Sequence, residues 1–219
     1  PLHQRLLPVL EVCRAIGDVH TQYGLAHGDI KPANILVHHG RLTKILDFGL
    51  VDVLSSDSVF DRPVRGTPAY MAPEQWRGQI SAATDVWSLG ILIYSTVFSA
   101  LPWTGSDKNQ IDQMRSGSVR IQARGIPKDL VAIMHKCLGY ASQSRYANAA
   151  VLADDLDRFL MRRPIAGSST MRRSFLFALR HPVAMAVGLL VVLGMTTMAI
   201  YFHRRELAMQ ELHSHVNLR

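Results

Sequence analysis

Apolar residues recur at helical spacing near the start of the chain, at Leu6, Leu7, Leu10, Cys13, Ile16, Val19 and Tyr23. The spacing predicts an amphipathic helix from Leu6 to Tyr23, with Gly24 placed as its C-cap. Two short β-branched runs, Ile35-Leu36-Val37 and Thr43-Lys44-Ile45-Leu46, flank His38-His39-Gly40-Arg41 and predict a small β-hairpin. From Asp47 to Glu74 no period is sustained, and Asp, Ser, Pro and Gly abound. A loop of that length in a compact domain usually serves a function. Asp85 to Phe98 is apolar on nearly every side, as a helix at the centre of a helical domain requires. A short polar helix is expected over 106–116, and another from Pro127, in its first turn, to Leu138, closed by Gly139. A last helix is expected from Asn148 to Leu160.

Beyond this region the pattern changes. Residues 163–182 read as a basic, Ser-containing connector, and Val183 to Phe202 runs for twenty residues without a charge. At a rise of about 1.5 Å per residue that run matches a hydrocarbon core about 30 Å thick, so 183–202 is expected to be a transmembrane helix. Residues 203–219 would be a short polar and basic tail. Charge supports the division: residues 1–160 carry 16 Lys and Arg against 15 Asp and Glu, while 161–219 carry 8 Arg against 2 Glu. Arg172, Arg173 and Arg180 precede the span more densely than Arg204 and Arg205 follow it. That bias places the preceding domain in the cytoplasm of a single-pass protein of the cell membrane. Cys13 and Cys137 sit in apolar helical patterns and read as core thiols in a reducing compartment. The chain opens at Pro1, inside a helical pattern and without a signal peptide, which reads as a truncation.

Three motifs carry chemistry. His27-Gly28-Asp29-Ile30-Lys31-Pro32-Ala33-Asn34, Asp47-Phe48-Gly49 and Ala72-Pro73-Glu74 follow one another, with the expected hairpin between the first two. Singly each is weak, since Asp29 and Asn34 could cap turns and Asp47 could be a loop acid. Together they resemble the catalytic loop, metal-binding loop and activation-segment end of protein kinases. The resemblance covers residues 1–162 and implies the C-terminal helical lobe of a protein-kinase-like fold, mainly α with a small β-hairpin. The catalytic loop would span 27–34 and the activation segment 47–74.

The same resemblance implies ATP and Mg²⁺, with Mn²⁺ as a substitute. Asp29 would orient the acceptor hydroxyl and accept its proton, and Lys31 would sit by the γ-phosphate. A Lys two residues after the catalytic Asp also marks Ser/Thr rather than Tyr kinases. Asn34 and Asp47 would hold the metal ions through oxygen ligands. Gly66-Thr67-Pro68-Ala69-Tyr70 resembles the loop that meets the substrate, with Thr67 bonding near Asp29 and Lys31; an ordinary turn residue is the lesser alternative for Thr67. Glu74 and Arg145 would form a structural pair. Asp85 would accept backbone hydrogen bonds from the catalytic loop, and His27 would support that loop.

Two departures stand out. Gly28 occupies the place where the family usually has an Arg that receives a phosphorylated loop residue, so activity is expected to depend weakly on loop phosphorylation. Ser55, Ser56, Ser58 and Thr67 remain as sites for it. No Gly-rich loop, strand lysine or helix glutamate precedes Pro1, so the N-lobe is expected to be absent and the chain alone inactive. The stretch from Arg145 to Ile165 is similar to the end of bacterial receptor-type, membrane-anchored Ser/Thr kinases. The function implied is ATP-dependent phosphorylation of protein Ser/Thr residues by a membrane-tethered signalling kinase. Its partners would be protein substrates and the bilayer, through 183–202, and the resemblance also admits a homodimer. The alternative is a pseudokinase scaffold, against which the full set Asp29, Lys31, Asn34 and Asp47 argues. A small-molecule kinase of related fold fits less well with the platform over 66–74. Only the basic tail speaks for nucleic-acid binding, and no nucleic-acid partner is expected.

Overall fold

The computed structural model describes residues 2–39, 41–47, 52–53, 66–103, 107–117, 119–166, 187, 190 and 193–200. The chain divides into two units, Pro1–Ser168 and Ser169–Arg219.

In the first unit, α1 (Leu2–Asp18) buries Leu6, Val9, Leu10, Val12, Cys13 and Ile16 along one stripe. It runs on into a π-helical turn, Val19–Tyr23, which Gly24 closes in the left-handed region. A π turn takes more residues per revolution than an α turn, so the apolar phase slips there. His20, four residues after Ile16, still falls on the buried side, while Tyr23, expected on the apolar stripe, is 66% exposed. The two-residue strand β1 (Leu25–Ala26) pairs antiparallel with β4 (Asp52–Val53). Between them β2 (Ile35–His38) and β3 (Arg41–Ile45) form an antiparallel hairpin, with a register shift between Leu36 and Val37.

Helix α2 (Ala82–Phe98) is buried without interruption from Thr84 to Tyr94, which is why its sequence shows no polar face. Helices α3 (Asp107–Ser116), α4 (Lys128–Cys137) and α5 (Ala149–Leu160) follow. Pro127 is the N-cap of α4 rather than its first helical residue, and its carbonyl accepts the Val131 N–H at 3.1 Å. Asn148 caps α5 by accepting the Val151 N–H at 3.1 Å. Helices α1, α4 and α5 all pack on α2, and Trp87, Leu89, Ile91, Ile93, Ile133 and Leu152 are fully buried between them. Burying each such aliphatic side chain contributes about 1.5–3 kcal/mol, so this centre is the main source of stability. Helices α1 and α5 approach closely at Gly17, where a Cβ would lie 2.7 Å from the Ala150 Cα and backbone N. Burial pushes the Cys13 thiol up to about 12 and Cys137 well above the usual thiol range, so both stay protonated packing groups.

Within the expected long loop, two 3₁₀ turns are described, Pro68–Tyr70 and Pro73–Arg77, besides β4. Phe48, Gly49, Ser55, Ser56 and Ser58 lie outside the described residues. In the second unit residues 193–200 are helical and exposed. Among the described residues no helix is long and apolar enough to cross a membrane. The fold expected from the sequence, with one transmembrane helix over 183–202 meeting a bilayer, is corrected accordingly. Of that stretch, 183–186, 188–189, 191–192 and 201–202 lie outside the described residues.

Candidate active site

The loop 27–34 leaves β1 and enters β2, and its start is fastened to the buried first turn of α2. The His27 N–H donates to Asp85 Oδ2 at 2.7 Å and the Gly28 N–H to Asp85 Oδ1 at 2.8 Å. Asp85 is fully buried in the first turn of α2. A third partner is His20, whose Nε2 lies 2.8 Å from Asp85 Oδ2. Because the Ala149 N–H donates to His20 Nδ1 at 3.2 Å, the ring proton sits on Nε2 and points at Asp85. His27 works the same way: its Nδ1 accepts the Asp29 N–H at 3.2 Å, and its Nε2 donates to the Leu46 carbonyl at 3.0 Å. Gly28 has a φ of 78°, a left-handed conformation that glycine adopts without a Cβ clash.

This frame sets Asp29 at the centre of a polar cluster. Lys31 Nζ donates to Asp29 Oδ2 at 2.7 Å and to Thr67 Oγ1 at 2.7 Å. Thr67 donates to Asp29 Oδ1 twice, from its N–H at 2.8 Å and its hydroxyl at 2.9 Å. Asn34 Nδ2 reaches the Asp29 carbonyl at 2.9 Å and its Oδ2 at 3.3 Å. Burial pulls the Asp29 carboxyl upward, but the bonds and charge of Lys31 and the bonds of Thr67 together outweigh it. The group is held below the ordinary aspartate range and is ionised at neutral pH.

Asn34 is buried at the end of the 3₁₀ turn Pro32–Asn34, and its carbonyl accepts the Leu46 N–H at 2.8 Å. Asp47, the next residue, is exposed and has a φ of 59°, which Asp tolerates better than most residues. With its Nδ2 turned to Asp29, Asn34 has its amide oxygen as the atom suited to a cation, and Asp47 supplies a carboxylate from the adjoining strand end. Among the described residues no group of three or more His, Cys, Asp or Glu is gathered for a metal. A sparse set of oxygen donors fits Mg²⁺, which keeps waters and substrate phosphate oxygens in its shell, and does not fit a soft metal.

The substrate-side loop is tied to α2 by the Ser88 hydroxyl, which donates to the Tyr70 carbonyl at 2.8 Å. The Trp103 indole adds a bond to the Ala69 carbonyl at 2.9 Å. Glu74 and Arg145 meet in a two-pronged pair, Nη1 to Oε1 at 2.6 Å and Nη2 to Oε2 at 2.8 Å. The remaining Arg145 donors reach the carbonyls of Gly139 at 2.7 Å, Ala83 at 2.9 Å and Tyr140 at 3.1 Å. Its guanidinium also lies 4.9 Å from the centre of the Trp87 ring. Two residues that sequence reasoning passed over belong to this frame. His20 lies in the π turn that follows α1, hidden on the continuation of its apolar stripe, and Gln75 follows Glu74 with no local pattern to mark it. The only clue to either is a polar group among positions that must be buried.

The sequence model of the protein kinase domain matches residues 6–156, and the chain belongs to the protein kinase domain family. It is similar to serine/threonine-protein kinase PknB of Mycobacterium tuberculosis, 34% identical over 158 residues, covering 68% of this chain and 25% of that protein. It is also similar to serine/threonine-protein kinase ppk34 of Schizosaccharomyces pombe, 32% identical over 158 residues, covering 66% of this chain and 44% of that protein. Mitogen-activated protein kinase kinase kinase 18 of Arabidopsis thaliana is 40% identical over 90 residues, covering 41% of this chain and 26% of that protein. The chain thus spans about a quarter of the length of its PknB relatives. The family match overturns the expectation of an absent N-lobe: residues 6–156 are matched as a protein kinase domain. That expectation rested on the position of Pro1, which carries no physical information about the rest of the protein.

Proposed function

We propose that this chain serves ATP-dependent phosphoryl transfer to Ser and Thr hydroxyls of protein substrates. The observation that carries the reading is the Asp29 carboxylate, kept ionised and aimed by Lys31 at 2.7 Å and by the Thr67 N–H and hydroxyl at 2.8 and 2.9 Å. Phosphoryl transfer leaves a protein little covalent work, so catalysis is mostly positioning and charge compensation. Asp29 orients the acceptor hydroxyl and takes its proton. Lys31 bridges Asp29 and Thr67 and presents its ammonium to the transferring group. Asn34 and Asp47 are the ligands of Mg²⁺ or Mn²⁺, which when bound with ATP neutralises charge on the phosphate oxygens. Thr67 closes the cluster from the substrate-side loop. His27, Asp85, Glu74 and Arg145 support the frame without touching the reactants. Gly28 offers no cation to a phosphorylated loop residue, which favours activity that depends weakly on such phosphorylation.

The test is phosphate incorporation from radiolabelled ATP with Mg²⁺ into a generic basic protein, using the full-length protein and its Asp29→Asn variant. Loss of a positioned general base lowers turnover by about 10²–10⁴-fold. Incorporation on Ser or Thr that falls by this factor in the variant is the expected result. Equal or negligible incorporation by two folded proteins across a varied acceptor panel sinks the proposal and favours the scaffold.

A further inference from the structure

Resting on that reading, we propose that Gln75 is a positioning residue that fixes the orientation of Asp29 by clamping the peptide group in front of it. Gln75 is 1% exposed, in the 3₁₀ turn Pro73–Arg77 that ends the activation segment. Its side-chain amide is used at both ends. Oε1 accepts the Ala72 N–H at 3.0 Å, and Nε2 donates to the Gly28 carbonyl at 2.8 Å, across 47 positions of sequence.

The Gly28 carbonyl belongs to the Gly28–Asp29 peptide, whose N–H is held by His27 Nδ1 at 3.2 Å. That peptide is therefore held at both polar ends, by His27 on one side and Gln75 on the other. The preceding peptide is held through the Gly28 N–H on Asp85 Oδ1 at 2.8 Å. This matters because residue 28 has no side chain and sits at a φ of 78°. Its torsions are soft, and nothing on the residue itself restrains them. The Gln75 amide supplies the missing restraint and couples the aim of Asp29 to the end of the activation segment. Space around the contact is closed as well: a Cβ on Gly66 would lie 3.3 Å from both Gln75 Nε2 and the Gly28 carbonyl oxygen.

Gln75→Met keeps length and bulk but removes both hydrogen bonds. Gln75→Glu keeps an acceptor for Ala72 and removes the amide donor to Gly28. Ile133→Val, a core change on α4, controls for lost stability alone. In the full-length protein, misaiming Asp29 lowers kcat by roughly 10–100-fold, with KM for ATP and acceptor within about twofold. Hydrogen exchange read at the Gly28 and Asp29 amides quickens in Gln75→Met, while exchange in α4 and α5 does not change. The exchange arm needs no turnover, so it decides the proposal even if the wild-type protein transfers no phosphate and the kinase reading fails. A kcat within twofold of wild type, a loss matched by Ile133→Val, or unchanged exchange at Gly28 and Asp29 overturns the role of Gln75.

Discussion

Replacing Arg145 by Met would remove a buried side chain that makes five hydrogen bonds. The Arg145 side chain is 0% exposed and that of Glu74 is 13% exposed, so the pair is shielded from water. All five guanidinium N–H groups are used, two on Glu74 and the others on the Gly139, Ala83 and Tyr140 carbonyls. Methionine fills similar volume on Trp87 but, among the described residues, leaves the Glu74 carboxylate with the Thr84 hydroxyl alone, at 3.2 Å. Removing one partner of a buried pair costs about 3–5 kcal/mol, because the charge left behind stays desolvated. For a domain of this size that corresponds to a melting temperature lower by about 6–20 °C. Arg145→Lys should recover little, since an ammonium has three donors and no planar fork. Glu74→Gln combined with Arg145→Met should recover part of the loss by removing the orphaned charge. Urea denaturation with an unchanged m-value is the assay. Arg145→Met within about 1 kcal/mol of wild type would refute the reasoning, as would a double variant less stable than Arg145→Met alone.

Two further outcomes follow from the packing. Stability should fall as pH rises above about 9, because the thiols of Cys13 and Cys137 stay protonated in the fold but ionise in the unfolded chain, which then binds fewer protons. The loss for Cys13 amounts to about 1.4 kcal/mol per pH unit until its folded value, about 12, is reached. Tyr146, raised first by burial and then by Cys137 and Asp155, adds to the slope at higher pH. Melts between pH 8 and 11 should be shallower in pH dependence for Cys13→Ala, and an unchanged slope would contradict this account. Gly17→Ala should destabilise the protein, because a Cβ 2.7 Å from the Ala150 backbone forces α5 away from α1. The clash costs about 1–3 kcal/mol and outweighs the roughly 1 kcal/mol gained in helix propensity. A melting temperature at or above wild type would show that the helices separate freely.

Much of the local structure was legible because it depends on neighbours in sequence. Apolar spacing marked α1, α2, α4 and α5, and the Asn148 cap placed the start of α5 within a residue. Asp29, Lys31 and Asn34 fall within six positions on one loop, so the chain could hardly separate them. Thr67 is different: it stands 38 positions from Asp29, and only the family resemblance, not any spacing, pointed to their meeting. The π turn at Val19–Tyr23 could not be read from periodicity, and past it Tyr23 faces water instead of continuing the apolar stripe. The uncharged run over 183–202 was read from hydropathy alone, which reports what a segment could bury, and among the described residues no helix is long and apolar enough to cross a membrane. His20 reaches Asp85 over 65 positions and Gln75 reaches Gly28 over 47, each through a directional hydrogen bond. Period and propensity act within a few residues along the chain, so the sequence by itself determined the helices and the contents of the catalytic loop. The clamps that aim that loop join groups distant in sequence, and only tertiary packing, which brings them within 3 Å and excludes water, could decide them.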